Sequence, residues 1–530
     1  MRSLMTKEWR ENLRWTASLG VVILCVTIFL PCPVSSFESP TQETGQGHVG
    51  ATGNPSPPSV GAKEPPSTTN GLTGKTFEPS QLQADFRIAR QALEEGHPGI
   101  YRYTPKKELD RLFDQAEKSL TKPMTVVEFY RVLAPVVAAI KCGHTDVSLP
   151  TDCLKSLTAK NRVLPLYVRV LEGKAYVLRD LSGAPVSLAG KEIRSINGVS
   201  APKIVEKMLA AVSGDGDIKS VRTRRISRWA FSSHLLTLVG LSGPYEVAYW
   251  EPKEQRELTI MLAGADMALL RETARSKFPQ DERPKEAGEL TFMDDGAIAV
   301  LTIRGFDEFA DAGHKKSMAH FYQESFDAMS KKQSKTLILD LRSNPGGQDE
   351  LGKRLLSYLL DKPFKYYEEL VVNAREFSFQ KYVKLPAIPE DSVELRADGK
   401  LRVNSPSVYG EQQPSEPTFK GKVLILMNGD SFSATAEFLS IAHFRKRAEF
   451  IGEESGGAYY GNNSGVVPAL TLPNTKLIIY LPLVAYYMAV SGYKAQAHGV
   501  IPDHPVRYRI EELLEGTDKE LALALKLARK

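Results

Sequence analysis

Ser433 stands where a serine hydroxyl could act as a nucleophile. An apolar run over 423–427 predicts a buried strand, and apolar residues at helical spacing resume at Ala434. The chain therefore leaves a strand, turns sharply and begins a helix at Ser433. Unpaired backbone N–H groups and the positive end of the helix dipole would lie beside the hydroxyl, and together they could hold an oxyanion. A serine that only caps a helix produces the same local pattern, so the other motifs of the chain must decide.

Three other motifs carry residues that could complete such a site. A strand over 336–341 ends in a turn with Gly346 and Gly347, whose amides could approach a substrate because neither residue has a side chain. A glycine-rich loop over 452–457 follows another strand. His144 follows a predicted helix, and an imidazole can accept a proton near neutral pH. Taken singly, these patterns are also typical of a Pro-Gly turn, a surface loop and a capping histidine.

The elements that must position these residues belong to a chain of 530 residues, long enough for two or three domains. The hydrophobic fraction of 42% and the charged fraction of 25% are ordinary for a soluble globular protein. The net charge of +5 is small for this length, and the predicted folded part has no dense block of Lys and Arg. We therefore expect no nucleic-acid partner.

The N-terminus has the pattern of an export signal. Four basic residues among the first 14 precede an apolar run over 15–30, and small residues follow up to Ser36. We expect residues 1–36 to be a signal peptide cleaved near Ser36 or, in second place, an uncleaved N-terminal membrane anchor. Either form predicts an exported protein, periplasmic or secreted. Residues 37–78 are rich in Pro, Gly, Ser and Thr and predict a disordered linker.

Three folded regions are predicted after the linker. Residues 79–158 show helical spacing and carry His144, so we expect a helical domain. Residues 159–270 alternate short β runs with one helix, which predicts a small β module. Residues 285–530 alternate strands and helices, which predicts an α/β domain with its function at the strand ends and a last helix over 511–529. Residues 364–417 are expected to form an irregular surface insertion.

The cysteine pattern is compatible with two states of the mature protein. Cys25 and Cys32 lie in the predicted signal, which leaves Cys142 and Cys153. In an oxidising compartment these two could form a disulfide, and two partly buried free thiols fit the sequence equally well. The cysteines show no zinc-type spacing, and nothing in the sequence demands a metal or an organic cofactor.

The order of these motifs resembles that of the tail-specific, or C-terminal-processing, serine peptidases, over about residues 80–530. Each motif is weak alone, but six in this order are specific. They are Gly143-His144-Thr145, a module containing 188–200, Asp340 to Gly347, Ser433-Ala434 with Glu437, Gly452 to Gly457, and Gly499 to Asp503. The resemblance implies an α/β fold with a crotonase-like ββα core, a PDZ-like module over 159–270, and endopeptidase activity on peptides or unfolded proteins.

The resemblance also implies roles for individual residues. The sequence is similar to the branch of the family that uses a histidine, represented by the tricorn core and the repeats of interphotoreceptor retinoid-binding protein. The lysine of the other branch is absent, because 456–458 reads Gly-Gly-Ala. In the histidine branch His144 would be the general base and Ser433 the nucleophile, in preference to the turn serine Ser431. The oxyanion hole would consist of the amides of Ala434 and of either Gly346 or Gly347.

A third catalytic member, which would orient the histidine, has three candidates. The family often has a carboxylate where this sequence has Gln496, so Gln496 itself, Asp503 or Glu453 could take that place. His498 is the second candidate for the base. The sequence thus predicts an exported serine endopeptidase that works through an acyl-enzyme. The departure at Gln496 supports an alternative, a non-catalytic ligand- or peptide-binding protein on the same scaffold.

Overall fold

The computed structural model describes residues 71–281, 286–307 and 317–530. The predicted signal over 1–36, and the predicted linker as far as residue 70, lie outside the described residues. Residues 71–78 depart from the linker prediction, because Thr76–Phe77 pairs as a strand with Met124–Thr125. In the part of the chain that is described, no helix combines the length and the apolar character that crossing a membrane requires.

Three helices precede His144, as the spacing of apolar residues predicts, and a fourth, which the spacing did not predict, follows it. They are Pro79–Gly96, Lys106–Ser119, Val126–Ala138 and Thr151–Lys160. The third begins with a capping box in which the Thr125 and Glu128 side chains satisfy two backbone N–H groups. Cys142 and Cys153 lie in this region as buried free thiols, so the structure contains the second of the two predicted cysteine states.

An antiparallel sheet forms the β module. Its strands in spatial order are Leu166–Leu171, Lys174–Asp180, Glu192–Ile196, Tyr245–Glu251 and Arg256–Leu262. Val199–Ser200 closes a hairpin with Glu192–Ile196. The helices of this region are Ala201–Leu209, Lys219–Arg225, Trp229–His234 and Met267–Lys277, three more than the sequence predicted. The identity of this module as PDZ-like stays a prediction.

The α/β prediction is confirmed by a six-stranded central sheet. Its order is Gly288–Met293, Ile298–Ile303, Thr336–Asp340, Lys422–Met427, Glu449–Gly452 and His504–Pro505. Gly288–Met293 and Ile298–Ile303 pair in antiparallel orientation, and all other neighbouring strands of this sheet are parallel. Alternate residues of Thr336–Asp340 enter two cores, because successive strand side chains point to opposite faces. Leu337 and Leu339 pack with the helices Met318–Lys331, Asp349–Ser357 and Ala434–Phe444, whereas Ile338 packs with Lys519–Ala528.

Two predictions for this domain are wrong in their local detail. The last helix is interrupted at Gly516, whose φ is 71°, and forms two helices, Ile510–Leu514 and Lys519–Ala528. Residues 364–417 contain strands and the short helix Pro406–Tyr409. The strands join an antiparallel sheet in the order Val393–Leu395, Leu401–Val403, Tyr367–Val372, Val484–Met488 and Asn463–Gly465. Val393–Leu395 and Leu401–Val403 form a local hairpin, whereas Tyr367–Val372 pairs with Val484–Met488, which lies too far along the chain for the local sequence to indicate the pairing.

Long-range contacts join the helical region to the α/β domain. A three-stranded sheet contains Ala469–Thr471, Ile478–Tyr480 and Asp146–Ser148, the last of which directly follows the His144 motif. The buried Asp85 carboxylate accepts hydrogen bonds from the Thr475 amide at 2.7 Å and from the Thr475 hydroxyl at 2.6 Å. These contacts hold the segment that carries His144 against the domain that carries Ser433.

Candidate active site

Ser433 lies beyond the carboxyl end of a central strand. Lys422–Met427 leads through a turn into the helix Ala434–Phe444, as predicted, and Ser433 is the residue before the first helical one. Its backbone has φ 55° and ψ −128°, a conformation that residues other than glycine rarely adopt. The neighbouring Phe432 amide donates to the carbonyl of Asn344 at 3.1 Å and ties this turn to the next strand's loop. Strained backbone of this kind clusters at functional sites.

Ser431 takes part in the turn and not in the candidate site. Its hydroxyl donates to the carbonyl of Leu341 at 2.8 Å and accepts from the amide of Asn428 at 3.0 Å. The side chain is completely buried. Both hydrogen bonds of the Ser431 hydroxyl therefore connect the ends of two strands. This agrees with the choice of Ser433 over Ser431 as the candidate nucleophile.

The structure brings His144 to Ser433, although 289 residues separate them in the chain. The His144 Nε2 atom lies 3.0 Å from Ser433 Oγ, within the reach required for proton transfer. The imidazole stacks on Phe432 with ring centroids 4.5 Å apart. Gly143 is needed beside it, because a Cβ there would lie 2.7 Å from the Phe432 ring. His144 is 3% exposed and Ser433 7%, so the pair lies in a nearly dry environment.

This environment keeps the imidazole uncharged. Burial in the first place, and the positive charge of Arg225 in the second, lower the pKa of His144 to about 3. Arg225 is itself held by the carbonyls of Gly143, at 3.1 Å, and of Ser213, at 2.8 Å. His144 is therefore neutral at neutral pH, which is the form that can accept the Ser433 proton.

The three candidates for an orienting residue lie elsewhere in the structure. The Gln496 side chain is exposed, Asp503 accepts from the Phe450 amide at 2.8 Å, and Glu453 pairs with Arg224 at 2.8 Å. Among the described residues no hydrogen-bond partner contacts His144 Nδ1. The prediction therefore needs correction: stacking on Phe432 and the Ser433 contact hold the ring, and none of these three side chains does.

Two backbone amides are available as oxyanion donors. Neither the Ala434 amide nor the Gly347 amide donates a hydrogen bond to any described residue. The Gly346 amide, the other predicted donor, is engaged by the side-chain oxygen of Asn344 at 3.0 Å. Gly346 serves instead for close approach, since with φ 100° a Cβ there would lie 2.7 Å from Ser433 Cβ. The geometry therefore favours Gly347 together with Ala434.

Asp215, which the sequence did not single out, supports the His144 loop. Its buried carboxylate accepts from the Gly143 amide at 2.6 Å and from the Ala458 amide at 3.3 Å, and so joins the loops on both sides of the pair. Burial raises the pKa of Asp215. His97 gives further support, because its Nε2 lies 2.8 Å from the Thr145 hydroxyl oxygen. No motif around Asp215 could have revealed this role, since both partners come from distant segments.

His498 lies apart from the pair formed by Ser433 and His144. His498, the second candidate for the base, has its Nδ1 2.9 Å from a Glu454 carboxylate oxygen and forms no hydrogen bond with Ser433. Across the described ranges, no group of three or more His, Cys, Asp or Glu side chains is arranged to hold a metal ion. The arrangement as a whole is a serine hydroxyl with a neutral histidine at hydrogen-bond distance and two nearby amide donors.

Comparison with known proteins gives a family match for part of the chain and a fold for most of it. Residues 297–506 match the sequence model of peptidase family S41. The structure is similar to that of mature CPAF, with a TM-score of 0.57, 13% identity, and coverage of 85% of this chain and 98% of the CPAF chain. The structure of mature CPAF complexed with lactacystin gives a TM-score of 0.59 and 13% identity, and the alignment covers 85% of this chain and 99% of the CPAF chain. No curated protein matches the chain. At this identity the likeness to CPAF shows a common fold.

Proposed function

We infer that this chain, a serine-type peptidase whose residues 297–506 belong to peptidase family S41, cleaves internal peptide bonds with Ser433 as nucleophile and His144 as general base. The observation that carries the proposal is the distance of 3.0 Å between His144 Nε2 and Ser433 Oγ. The substrate is a peptide or a protein. Its cleavage would proceed through an ester between Ser433 and the acyl part of the substrate.

In the acylation step Ser433 Oγ attacks the carbonyl carbon while its proton passes to His144 Nε2. The carbonyl oxygen becomes an oxyanion, which the amides of Ala434 and Gly347 stabilise by hydrogen bonds. The imidazolium then gives the proton to the leaving amine as the C–N bond breaks. In deacylation a water molecule attacks the ester, His144 takes its proton, and Ser433 recovers the proton as the acid leaves. A neutral histidine in the resting state suits both steps.

A serine-directed fluorophosphonate tests the reactivity of Ser433. We expect one covalent adduct per chain, on the peptide that contains Ser433, as measured by mass spectrometry of the digested protein. Labelling should vanish in Ser433→Ala, and heat-unfolded protein should label as weakly as that variant. A folded wild-type protein that acquires no adduct, and cleaves no peptide in a mixed peptide library, would favour a binding protein over a peptidase.

We also propose that the protein is exported, on the basis of the basic segment and apolar run within residues 1–36. When the full chain is expressed in a bacterial host with an intact export pathway, we expect the protein in the periplasm or medium. N-terminal sequencing should find a start near residue 37. Retention of the whole chain in the cytoplasm with its first residues intact would contradict export without affecting the proposed chemistry.

A further inference from the structure

A line of buried polar side chains lies beneath the candidate active site. The Tyr367 hydroxyl oxygen lies 2.7 Å from Glu437 Oε2 and 2.8 Å from Asp349 Oδ2. Glu437 Oε1 accepts from the side-chain amide of Asn462 at 2.8 Å. Asp349 forms an ion pair with the buried Lys353 at 3.1 Å. None of these side chains belongs to the proposed nucleophile, base or oxyanion donors.

The two contacts of Tyr367 require a proton that the tyrosine alone does not supply. A phenol carries one hydrogen, and an ionised carboxylate can only accept. Two carboxylate oxygens at hydrogen-bond distance from one hydroxyl therefore imply that one carboxyl is protonated. Asp349 has the Lys353 ammonium group beside it as a counter-charge. Glu437 is 3% exposed and has no cation within ion-pair distance among the described residues, so the extra proton belongs on Glu437.

The line joins the two helix starts that carry the proposed oxyanion donors. Asp349 follows Gly347 by two residues and begins the helix Asp349–Ser357. Glu437 lies one turn after Ser433, and its amide donates to the Ser433 carbonyl at 3.1 Å. Tyr367, from the strand Tyr367–Val372, bridges the two helices. The distance between the Gly347 and Ala434 amides thus depends on a bridge made of side chains.

We propose that protonated Glu437 donates to Tyr367, that Tyr367 donates to Asp349, and that this clamp positions the two oxyanion donors. Glu437 and Tyr367 are then positioning residues for the peptidase reaction. The catalytic consequence rests on the proposed function, whereas the protonation of Glu437 does not. Linked hydrogen bonds in a low-dielectric interior strengthen one another, which favours a single geometry of their partners.

The clamp gives the protein a defined response to pH. Burial first, and the Asp349 charge second, raise the pKa of Glu437 from 4.5 to about 7. The other charged or titratable groups near it are Lys353 and Glu350 from one helix, Tyr367 and Tyr486 from two strands, and Tyr366, the residue before the first of these strands. Burial raises the pKa of all three phenols, so they stay neutral where Glu437 titrates. Since the folded state keeps a proton that the unfolded state releases, this group contributes stability below pH 4.5 that is lost as pH rises to about 7.

Infrared difference spectroscopy tests the protonation directly and needs no peptidase activity. Spectra of Ser433→Ala and of Ser433→Ala with Glu437→Gln would be compared between about pH 5 and pH 9. We expect the C=O stretching band of a buried carboxylic acid near pH 5, its loss on raising the pH, and its absence in the Gln variant. Identical spectra for the two proteins at acidic pH would overturn the proposal, whether or not the protein is a peptidase.

Kinetic measurements test whether the contacts of Tyr367 position the two oxyanion donors. In Tyr367→Phe we expect kcat for a peptide to fall roughly tenfold to a hundredfold with little change in KM, because a displaced oxyanion donor acts on the transition state. Glu437→Gln, which remains neutral, should keep the acidic-side kcat and lose the decline that the wild type shows above about pH 7. Tyr366→Phe is the matched control, since the buried Tyr366 hydroxyl has no hydrogen-bond partner among the described residues. An equal loss in Tyr366→Phe and Tyr367→Phe would overturn the positioning role.

Discussion

Replacing Ser433 by alanine is expected to lower kcat/KM for peptide hydrolysis by roughly 10⁴- to 10⁶-fold, because the atom that forms the acyl-enzyme is removed. The fold should survive the change. Ser433 makes no side-chain cap bond to its helix, and among the described residues its side chain hydrogen-bonds only with His144. A continuous assay with a quenched fluorescent peptide measures the loss, and thermal unfolding measures the stability.

Ser431→Ala is the matched control for this variant. Ser431 is two residues away and more deeply buried, and its hydroxyl makes two hydrogen bonds that hold the turn. We expect the control to lower stability by about 1–3 kcal/mol, because it leaves the Leu341 carbonyl and the Asn428 amide without this partner. It should retain the ability to form the fluorophosphonate adduct. The assignment of the nucleophile fails if Ser431→Ala abolishes labelling while Ser433→Ala keeps it.

Replacing His144 by alanine is expected to reduce kcat/KM by about 10²- to 10⁴-fold, which is the usual contribution of a positioned general base. In the wild type, the lowered pKa of about 3 keeps the base neutral as the solution becomes acidic. The acidic decline of kcat/KM should therefore lie well below the ordinary imidazole pKa of 6.5. A wild-type decline centred near pH 6.5 would mean that the base titrates in an open, hydrated site, contrary to the geometry described.

The free energy of unfolding should also depend on pH through the protonation of His144. The unfolded imidazole binds a proton below pH 6.5, whereas the folded one remains neutral to about pH 3. The wild type should therefore lose stability relative to His144→Ala as pH falls through this window and keep it above pH 6.5. Denaturant unfolding of both proteins across this range measures the difference.

Two further variants test which residues near His144 in sequence or in space contribute to activity. Asp215→Asn should reduce activity less than His144→Ala, because the base remains while a charged acceptor of the Gly143 amide becomes a neutral one. Gln496→Ala should change activity little, because its side chain is exposed and does not contact the ring. A loss in Gln496→Ala as large as that in His144→Ala would contradict the present placement of both residues.

Local sequence patterns predicted the secondary structure correctly where the residues that contact a segment are also close to it in sequence. The apolar run over 423–427 and the helical spacing after Ala434 predicted the strand, turn and helix around Ser433. Apolar residues at helical spacing likewise predicted the helix that ends before His144. The same reasoning failed for 364–417, because the strand Tyr367–Val372 obtains its partner Val484–Met488 from a distant part of the chain.

By itself, the sequence predicted the α/β fold class from periodicity, and its motifs in chain order resemble those of a serine peptidase family whose model matches residues 297–506. Only the tertiary structure decided which side chains meet. It placed His144 Nε2 3.0 Å from Ser433 Oγ and favoured Gly347 over Gly346 as an oxyanion donor. It also showed that the three candidate orienting residues do not contact the His144 ring. It also revealed the support that Asp215 gives to the His144 loop and placed the motif residue Glu437 beside Tyr367. The physical reason is that hydrogen bonds and burial depend on angstrom distances between distant segments, which motif spacing does not encode.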